Sequence, residues 1–550
     1  MSFRPPPPAW VSPDDKMSGG QDFMGLRNLG NRIGYVAMNG VTSVTPRVRY
    51  LALREWMLAT WWRVRGEDRR GAFTAFAQGV EAAIVMANLR AGLTESGLIG
   101  STKGRTRLSE PGPWTLESLV EIPGATIYAG ATEQLGLDTT QFEQGGTLVV
   151  RKVAGPTVER GQGLARIVEE SLRQTRLGQE LCEGRLPETV DAAHLDELAP
   201  LVRLDRVPMA ERDAVIKVIV PLEAHPHASA DRRAEELRRI ASYALVLELA
   251  DRKGALPVET DVFRAASDGG RDLPECLHPV LDVWMLFGVR DLLAACHEAS
   301  MRGLTEALQT VAVQGEATSQ QVLDELLSQG EVLSTALRDL GLLERAESWD
   351  RLRFRTLHER IQAACSSGRW TRRGLARWGG GLTELDLAAA AQRSAAGPAP
   401  LLLVPVAWSL STLRLAPALA GDDAPFFDLL NAQPYPLRPQ VQDEVNDWLD
   451  ADLSLPELVA QRARGSVETH LVTAWTRMQR NVHSDTAHLH VEGQHWRPRQ
   501  TWREGRSTSR LDNAIGWLQQ LGLINEDGLT DRGRGLRDAA FETLSREQAP

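Results

Sequence analysis

A short phrase ending in Leu-Gly-Leu occurs three times along the 550 residues, at 133–137, 338–342 and 519–523. Each copy ends an amphipathic stretch, and its glycine stands where a helix commonly finishes in the left-handed conformation. Apolar residues follow the glycine each time. A chain that repeats such a helix end is expected to contain related helical modules.

Two of the copies are similar over a longer stretch. Residues 159–164 (ERGQGL) open a predicted helix after the first copy, and residues 531–536 (DRGRGL) open another after the third. The middle copy retains only 372–375 (RRGL). The first and third copies therefore indicate two modules of one kind, which flank the middle of the chain.

The third copy has the element order of a winged helix. Ser509 is placed to cap a helix. The apolar residues of that helix share one face, at Leu511, Ile515, Leu518 and Leu521. A strand at 523–524, a turn at 525–528 and a last helix complete the order.

The first copy repeats this order less clearly. Helices are expected at 115–120 and 125–135, and a strand at 147–152 follows the turn Gly145-Gly146. The same order of helix, glycine, leucine and strand also occurs in other α+β proteins. An arrangement other than a winged helix therefore stays open as the alternative. The expected fold class is mainly α (α+β), a helical middle flanked by two winged-helix-like modules.

The length indicates three to four domains, at about 150 residues each. Acidic and alanine-rich helical faces mark the middle as a scaffold, and Pro- and Gly-containing breaks mark boundaries. The expected segments are a disordered Pro-rich leader at 1–20, a helical N-terminal region with a basic loop at 21–113, a winged-helix-like module at 114–175, a helical scaffold at 176–396, an α/β or helical linker at 397–460 and a second winged-helix-like module at 461–550.

The composition is that of a globular chain, with 43% hydrophobic and 24% charged residues, which excludes disorder and fibre classes. Apolar runs such as 401–406 are too short to cross a bilayer. The four cysteines are too few and too scattered for a disulfide framework. We therefore expect a cytoplasmic protein with buried thiols and no membrane contact.

The net charge of −10 argues against nucleic-acid binding by the whole surface, so charge is informative by segment. Residues 462–510 carry nine arginines against four acids, with three tryptophans among them. Alternation along a probable strand would place three of the arginines on one face. The candidate backbone-binding residues here are Arg497, Arg499, Arg503, Arg506 and Arg510. The alternative is a solvated face paired with the protein's own acidic middle.

A second basic segment spans 27–70, with nine arginines against three acids. The glycine- and proline-containing stretch 92–113 lacks helical periodicity and is predicted to be a basic loop. Together they could form a groove for a nucleic-acid backbone, with the candidates Arg47, Arg49, Arg54, Lys103, Arg105 and Arg107. The alternative is that Arg54 and Glu55 pair inside a helical bundle.

Four histidines lie within thirteen residues, at His483, His488, His490 and His495. On a strand, His488, His490 and Glu492 would share a face able to bind zinc, but no zincin, deaminase or zinc-finger spacing is met. Cys276 and His278 with Cys296 and His297 form a second set, for which burial in the core is favoured. The prediction is that no metal is bound.

No catalytic constellation stands out. Residues 97–104 (GLIGSTKG) supply glycines and a lysine without the spacing of a phosphate-binding loop. No Gly-x-Ser-x-Gly elbow is present, and paired acids fall on polar stretches. We therefore favour a protein that is not an enzyme and that requires no cofactor.

Three stretches carry a resemblance: Thr45-Pro46-Arg47-x-Arg49-Tyr50 followed by Trp56, Ile127-Tyr128-x-Gly130 before Leu135-Gly136, and the helix and turn of Leu511–Ile524. They resemble an uncharacterised bacterial protein family associated with anti-phage defence islands, beside helicase and phospholipase-D-type nuclease genes. The resemblance transfers no catalytic residues. It implies an accessory role beside an enzyme encoded elsewhere.

Three hypotheses follow. The favoured one is a non-enzymatic DNA-binding accessory subunit of a bacterial multi-protein anti-phage defence or DNA-processing system. Its partners would be DNA, through backbone contacts, and other subunits such as a helicase or nuclease. The alternatives are a winged-helix assembly scaffold that binds no DNA, and a metal-dependent nuclease built on the histidines of 483–495.

Overall fold

The structure is a computed structural model that describes residues 27–65, 72–93, 98–138, 141–144, 147–150, 158–224, 229–267, 272–339, 341–366, 406, 409, 437–480, 487–499, 502 and 509–547. Helices dominate these residues, which confirms the mainly α class. The chain divides into two compact units. Unit 1 comprises Met1–Ile33, Phe263–Asp272 and Leu281–Thr508, and unit 2 comprises Gly34–Val262, Leu273–Val280 and Ser509–Pro550. The division at Thr508 falls inside the predicted 461–550 segment.

The described helices are numbered in chain order. They are α1 (Arg27–Ala37), α2 (Arg49–Arg65), α3 (Ala72–Arg90), α4 (Ser101–Leu108), α5 (Gly124–Ile127), α6 (Ala129–Leu135), α7 (Glu159–Leu172), α8 (Arg176–Cys182), α9 (Ala192–Val202), α10 (Met209–Ile219), α11 (Ala230–Lys253), α12 (Glu259–Ser267), α13 (His278–Val311), α14 (Ser319–Ser328), α15 (Gly330–Asp339), α16 (Phe354–Ser366), α17 (Leu437–Asp450), α18 (Leu455–Arg480), α19 (Leu511–Gln520) and α20 (Asp531–Glu547).

The described strands are short and pair antiparallel. They are β1 (Trp114–Thr115), β2 (Gln141–Gln144), β3 (Thr147–Val150), β4 (Thr189–Val190), β5 (Ala317–Thr318), β6 (Leu489–Glu492), β7 (His495–Pro498), β8 (Ile524–Asn525) and β9 (Gly528–Leu529). β1 pairs with β4, β2 with β3 and β8 with β9, while β5, β7 and β6 form one three-stranded sheet in that order.

The three Leu-Gly-Leu phrases end their helices in the same way. Gly136, Gly341 and Gly522 all adopt left-handed backbone conformations, with φ of 70°, 69° and 69°. In each copy the leucine after the glycine donates its N–H to the carbonyl five residues earlier, and the glycine donates to the carbonyl three residues earlier. These bonds satisfy carbonyls that the helix end would otherwise leave unpaired. The predicted glycine caps are confirmed.

The core of unit 2 is built on α2 and α3, which are buried around most of their circumference. α2 contacts α7, α10 and α5, and α3 contacts α9 and α4. α3 is also long and apolar enough to cross a membrane, but 72% of that window is buried inside the protein. Burial by neighbouring helices accounts for its composition, as expected for a core helix.

The C-terminal segment of unit 2 covers the loop before α2. On α19, Trp517 donates its indole N–H to the carbonyl of Thr45 at 2.7 Å. Gln520 donates to the carbonyl of Pro46 at 2.8 Å and accepts the N–H of Val48 at 3.1 Å. The Gln520 side chain therefore pairs with a carbonyl and an N–H of this loop that have no backbone partner in a helix or strand.

The second stretch of the resemblance meets the first in the same unit. The Tyr128 hydroxyl accepts the N–H of Arg47 at 2.8 Å, and the rings of Tyr50 and Tyr128 lie 5.0 Å apart. Because α19 also contacts this loop, all three stretches that carry the resemblance converge on 45–50. Their sequence pattern therefore reflects one packed junction of unit 2.

Unit 1 packs around the long helix α13. Phe263 stacks on Phe287 at 5.4 Å, and Trp284 meets both rings. The sheet β5–β7–β6 leads into α14, where Thr318 and Gln321 form a capping box. These contacts give unit 1 its own hydrophobic core.

Two local predictions are wrong. Residues 115–120 are not helical, since Trp114 and Thr115 pair with β4 and an extended stretch follows. The predicted basic loop contains α4, which begins after Gly100 in the left-handed conformation (φ 82°). The Cβ position of Gly104 lies only 2.8 Å from Leu89, so glycine here allows close packing of α4 on α3.

Candidate anion-binding surface

Arg49 lies inside unit 2 and is fully buried. Its Nε and Nη2 donate to the two carboxylate oxygens of Glu211 at 2.9 and 2.7 Å, and its Nη1 donates to the carbonyl of Arg203 at 2.6 Å. Nη2 also bonds to the carbonyl of Leu201. Such bidentate pairing satisfies both charges without water. Arg49 therefore joins α2 to α10, and its burial keeps it out of reach of a phosphate backbone.

Arg54 is likewise internal. It donates to the carbonyl of Ala125 at 2.7 Å, to Glu55 at 2.8 Å and to Asp138. Burial raises the pKa of Glu55 to about 8, although the adjacent guanidinium lowers it. The predicted alternative of an internal Arg54–Glu55 pair is confirmed. Arg47 is buried as well, so the predicted groove over 27–70 loses these three arginines.

The carboxylate of Glu81 caps the start of α5 from inside the protein. It accepts the N–H groups of Gly124 and Ala125 at 2.7 and 2.6 Å. Burial raises the pKa of Glu81 to about 7, against the lowering effect of these two hydrogen bonds. The folded chain therefore holds a proton here at pH values where the unfolded chain has released it.

This raised pKa predicts a loss of stability with rising pH. The contribution of Glu81 is fully present below its unfolded pKa of 4.5 and is lost as the pH rises through about 7. The free energy of unfolding should therefore decline less steeply with pH in Glu81→Gln, because glutamine does not titrate. The difference in slope should be at most about 1.4 kcal/mol per pH unit. Urea unfolding at several pH values between 4.5 and about 7 measures this slope. Exposed Glu110→Gln is the control, and an equal change in both variants would contradict the prediction.

The C-terminal candidates in the described residues are partnered. Arg497 lies 2.8 Å from Glu316 and 3.2 Å from Glu492, and Arg499 contacts the ring of His490 at 3.0 Å. The hydrogen bond from Arg497 lowers the pKa of Glu316. These pairs match the alternative of a solvated sheet face balanced by the protein's own acids.

Arg510 faces inward. Its guanidinium lies 5.3 Å from the ring centre of Tyr35 and donates to the carbonyl of Val41 at 2.9 Å. Burial lowers the pKa of Arg510 to about 10. It is also the residue that precedes α19, whereas Ser509, the predicted cap, accepts the N–H of Leu511 at 3.1 Å. Arg503 and Arg506 lie outside the described residues.

The histidines of 483–495 do not share one face. His488 is buried, and its ring lies 5.5 Å from His470 and 4.8 Å from Trp502, whereas His490 is exposed. Their side chains therefore point to different environments, because His488 precedes β6 rather than alternating along it. His483 lies outside the described residues.

The remaining possible ligands do not form a metal site in the described part of the chain. His495 lies 3.3 Å from Glu316 and takes part in a surface ion pair. Cys276 and Cys296 are buried in different units, and burial raises the pKa of both thiols. Among the described residues, no group of three or more His, Cys, Asp or Glu side chains could hold a metal ion.

Helix α4 carries the exposed candidates. Lys103 and Arg105 are exposed, and their side chains make no hydrogen bond or ion pair with any described residue. Arg107 is partly buried and donates to the carbonyls of Thr115 and Glu117 at 3.2 and 2.6 Å. α4 thus presents two free cations on a helix that is fixed to α3.

A cleft near α4 was missed by the sequence analysis. It has a volume of about 560 Å³ and lies between the end of α3, helix α9 and the start of α10. Three arginines line it, Arg203, Arg206 and Arg212. Arg90 stacks over Trp114, which follows α4, and pairs with Asp196 in the cleft wall at 2.7 Å. Arg90 therefore links the cleft wall to the segment that follows α4.

The sequence signal for this cleft is weak. Arg203 and Arg206 are three residues apart in the short segment 203–208 between two helices, within a region that composition marks as scaffold. Neither the helical pattern nor local net charge distinguishes them from other arginines. Arg212 joins them from the first turn of α10, where its side chain reaches back to the carbonyl of Val207.

The chain was compared with models of protein families, with curated proteins and with solved structures, and it matches none of them.

Proposed function

We propose that the protein is a non-enzymatic subunit that holds DNA by its phosphate backbone, and that α4 is the contact. The observation that carries this proposal is the exposure of Lys103 and Arg105, which have no acidic partner among the described residues, on a helix anchored by Gly104. Phosphate contacts need positive charge at a fixed position and supply affinity without base recognition. The resemblance to a defence-associated family supports an accessory role.

The experiment is a salt titration of DNA binding by the full chain, with duplex and single-stranded DNA. Lys103→Gln with Arg105→Gln should lower the log–log salt slope by about 2, because each lost phosphate contact removes roughly 0.9. The matched control, Arg497→Gln with Arg499→Gln, removes the same charge from residues that already have protein partners. Its slope should equal that of the wild type.

Two results would overturn the proposal. If the control loses the slope and the α4 variant keeps it, the contact lies on the sheet of unit 1. If neither the wild type nor the α4 variant binds duplex or single-stranded DNA at low salt, this chain does not bind the DNA backbone.

A second candidate function is protein assembly without DNA. In a winged helix, the helix at the position of α19 would enter the major groove. Here its side chains are used within the chain: Asn513 donates to the carbonyl of Thr42 at 2.7 Å, and Trp517 and Gln520 hold the following residues. These side chains are therefore not available to a DNA groove, which is the observation that favours this candidate over DNA binding by α19. Co-purification with a partner, together with absent DNA binding, would support it.

A further inference from the structure

We infer that the arginine cleft of unit 2 binds a nucleotide, a phosphate ester joined to a flat, largely apolar body. This site is separate from the cations of α4 and does not rest on the proposed function. The argument uses the charge in the cleft, the donors at its rim and the nature of its walls.

The cleft holds positive charge that the protein does not neutralise. Five acids lie on α9, on α10 and on the segment between them. Four of these are paired with other arginines: Asp196 with Arg90, Asp205 with Arg203, Glu211 with Arg49 and Asp213 with Arg532. The fifth, Glu197, is exposed on α9 and does not line the cleft. Arg206 and Arg212 remain without a carboxylate partner among the described residues. Two guanidinium groups thus face a cavity without a counter-ion.

The two arginines differ in freedom. Arg206 is exposed, and its side chain makes no hydrogen bond with the described residues. Arg212 is held by a bond from Nη2 to the carbonyl of Val207 at 3.1 Å, while its buried Nε has no partner. Arg212 lines the cleft, so the guanidinium N–H groups that Val207 does not use are the ones that an anion in the cleft would meet.

The start of α10 adds donors at the same place. The helix begins at Met209, which lines the cleft, and no side chain caps its first turn. Unpaired N–H groups and the helix dipole favour an anion at such an end. Together with Arg206 and Arg212, this end of α10 supplies the fork of donors that a phosphate monoester requires.

The walls argue for more than a free phosphate ion. Most lining residues other than the charged ones are apolar, namely Ala91, Ala199, Pro200, Val207, Pro208 and Met209. Met209 is 76% exposed, and its flexible thioether is suited to lie on an aromatic ring. A volume of about 560 Å³ is typical of sites for organic ligands. A nucleotide would fill the cleft, with its phosphate bound by the arginines and its base packed against the apolar walls.

The test is calorimetric binding of AMP to the full chain, with adenosine and inorganic phosphate as separate arms. AMP should bind more tightly than either. Arg206→Gln and Arg212→Gln should each weaken AMP binding roughly 10-fold or more, the loss expected when a charge-assisted hydrogen bond is removed. Arg105→Gln on α4 is the matched control and should leave AMP binding unchanged.

Several outcomes would overturn the inference. They are the absence of AMP binding, equal binding of adenosine and AMP, or AMP binding that survives both cleft substitutions. If inorganic phosphate bound as tightly as AMP, the nucleoside part of AMP would contribute no affinity, and the cleft would be a phosphate site only. Because Arg206 is exposed, its variant should fold even if Arg212→Gln does not. AMP binding tests the cleft, whereas the salt slope of DNA binding tests α4. The two proposals can therefore fail separately.

Discussion

Arg49→Met should destabilise unit 2 by about 3–5 kcal/mol, the cost expected when one partner of a buried ion pair is removed. Glu211 would remain in the interior, where its side chain is 1% exposed, with no charge to balance it. The carbonyls of Leu201 and Arg203 would lose their donor as well. Urea unfolding of the purified full chain measures the change in free energy.

Two comparisons separate charge from packing. Arg49→Met combined with Glu211→Met should be more stable than the single variant, because no unpaired charge is then buried. Arg63→Met removes an ion pair with Glu169 whose arginine is 48% exposed, and should cost no more than about 1 kcal/mol. If Arg49→Met costs no more than Arg63→Met, the interior role assigned to Arg49 is wrong.

Trp517→Ala should destabilise unit 2 by about 3–5 kcal/mol, in the range for removal of a fully buried large aromatic side chain. The substitution leaves a cavity under α19 and removes the donor to the carbonyl of Thr45. Backbone amides of the loop before α2 should then exchange with solvent faster. Hydrogen exchange and urea unfolding measure the two effects.

Trp517→Phe keeps most of the ring and loses only the N–H, so it should cost about 1–3 kcal/mol. Trp475 is the control, because it lies on α18 and is 57% exposed. Trp475→Ala should change neither stability nor exchange in the 41–48 loop. Unchanged exchange in Trp517→Ala would show that α19 does not hold this loop.

The sequence predicts features that depend on neighbours along the chain. The three glycine caps are correct because a left-handed helix end needs only the glycine and its flanking apolar residues. The helices that open at Glu159 and Asp531 are likewise present. Such signals survive folding because no distant segment competes with them.

The basic patches fail for the opposite reason. Arg49 and its partner Glu211 are separated by 162 residues, and Arg497 and Glu316 by 181. A count of charges over 27–70 or 462–510 cannot include acids that folding brings from elsewhere. The cleft was hidden differently: its arginines lie together at 203–212, but its other walls come from the end of α3 and from α9, which the sequence does not place beside them.

Contacts between distant segments can also override the local preference of a sequence for helix or loop. Residues 115–120 have helical composition, yet Trp114 pairs with Val190 and fixes an extended backbone. In α4 the glycines suggested a loop, but the missing side chain at Gly104 is what lets the helix lie against Leu89. In both places a distant surface determines the backbone.

The closure of unit 2 by α19 has a consequence for biosynthesis. Gln520 and Pro46 are 474 residues apart, so the loop before α2 leaves the ribosome long before the helix that covers it. Unit 1, which contains about half of the intervening chain, can fold in that interval. Until α19 is made, the carbonyls of Thr45 and Pro46 lack the side-chain donors that it brings, so the completion of unit 2 waits for the last part of the chain.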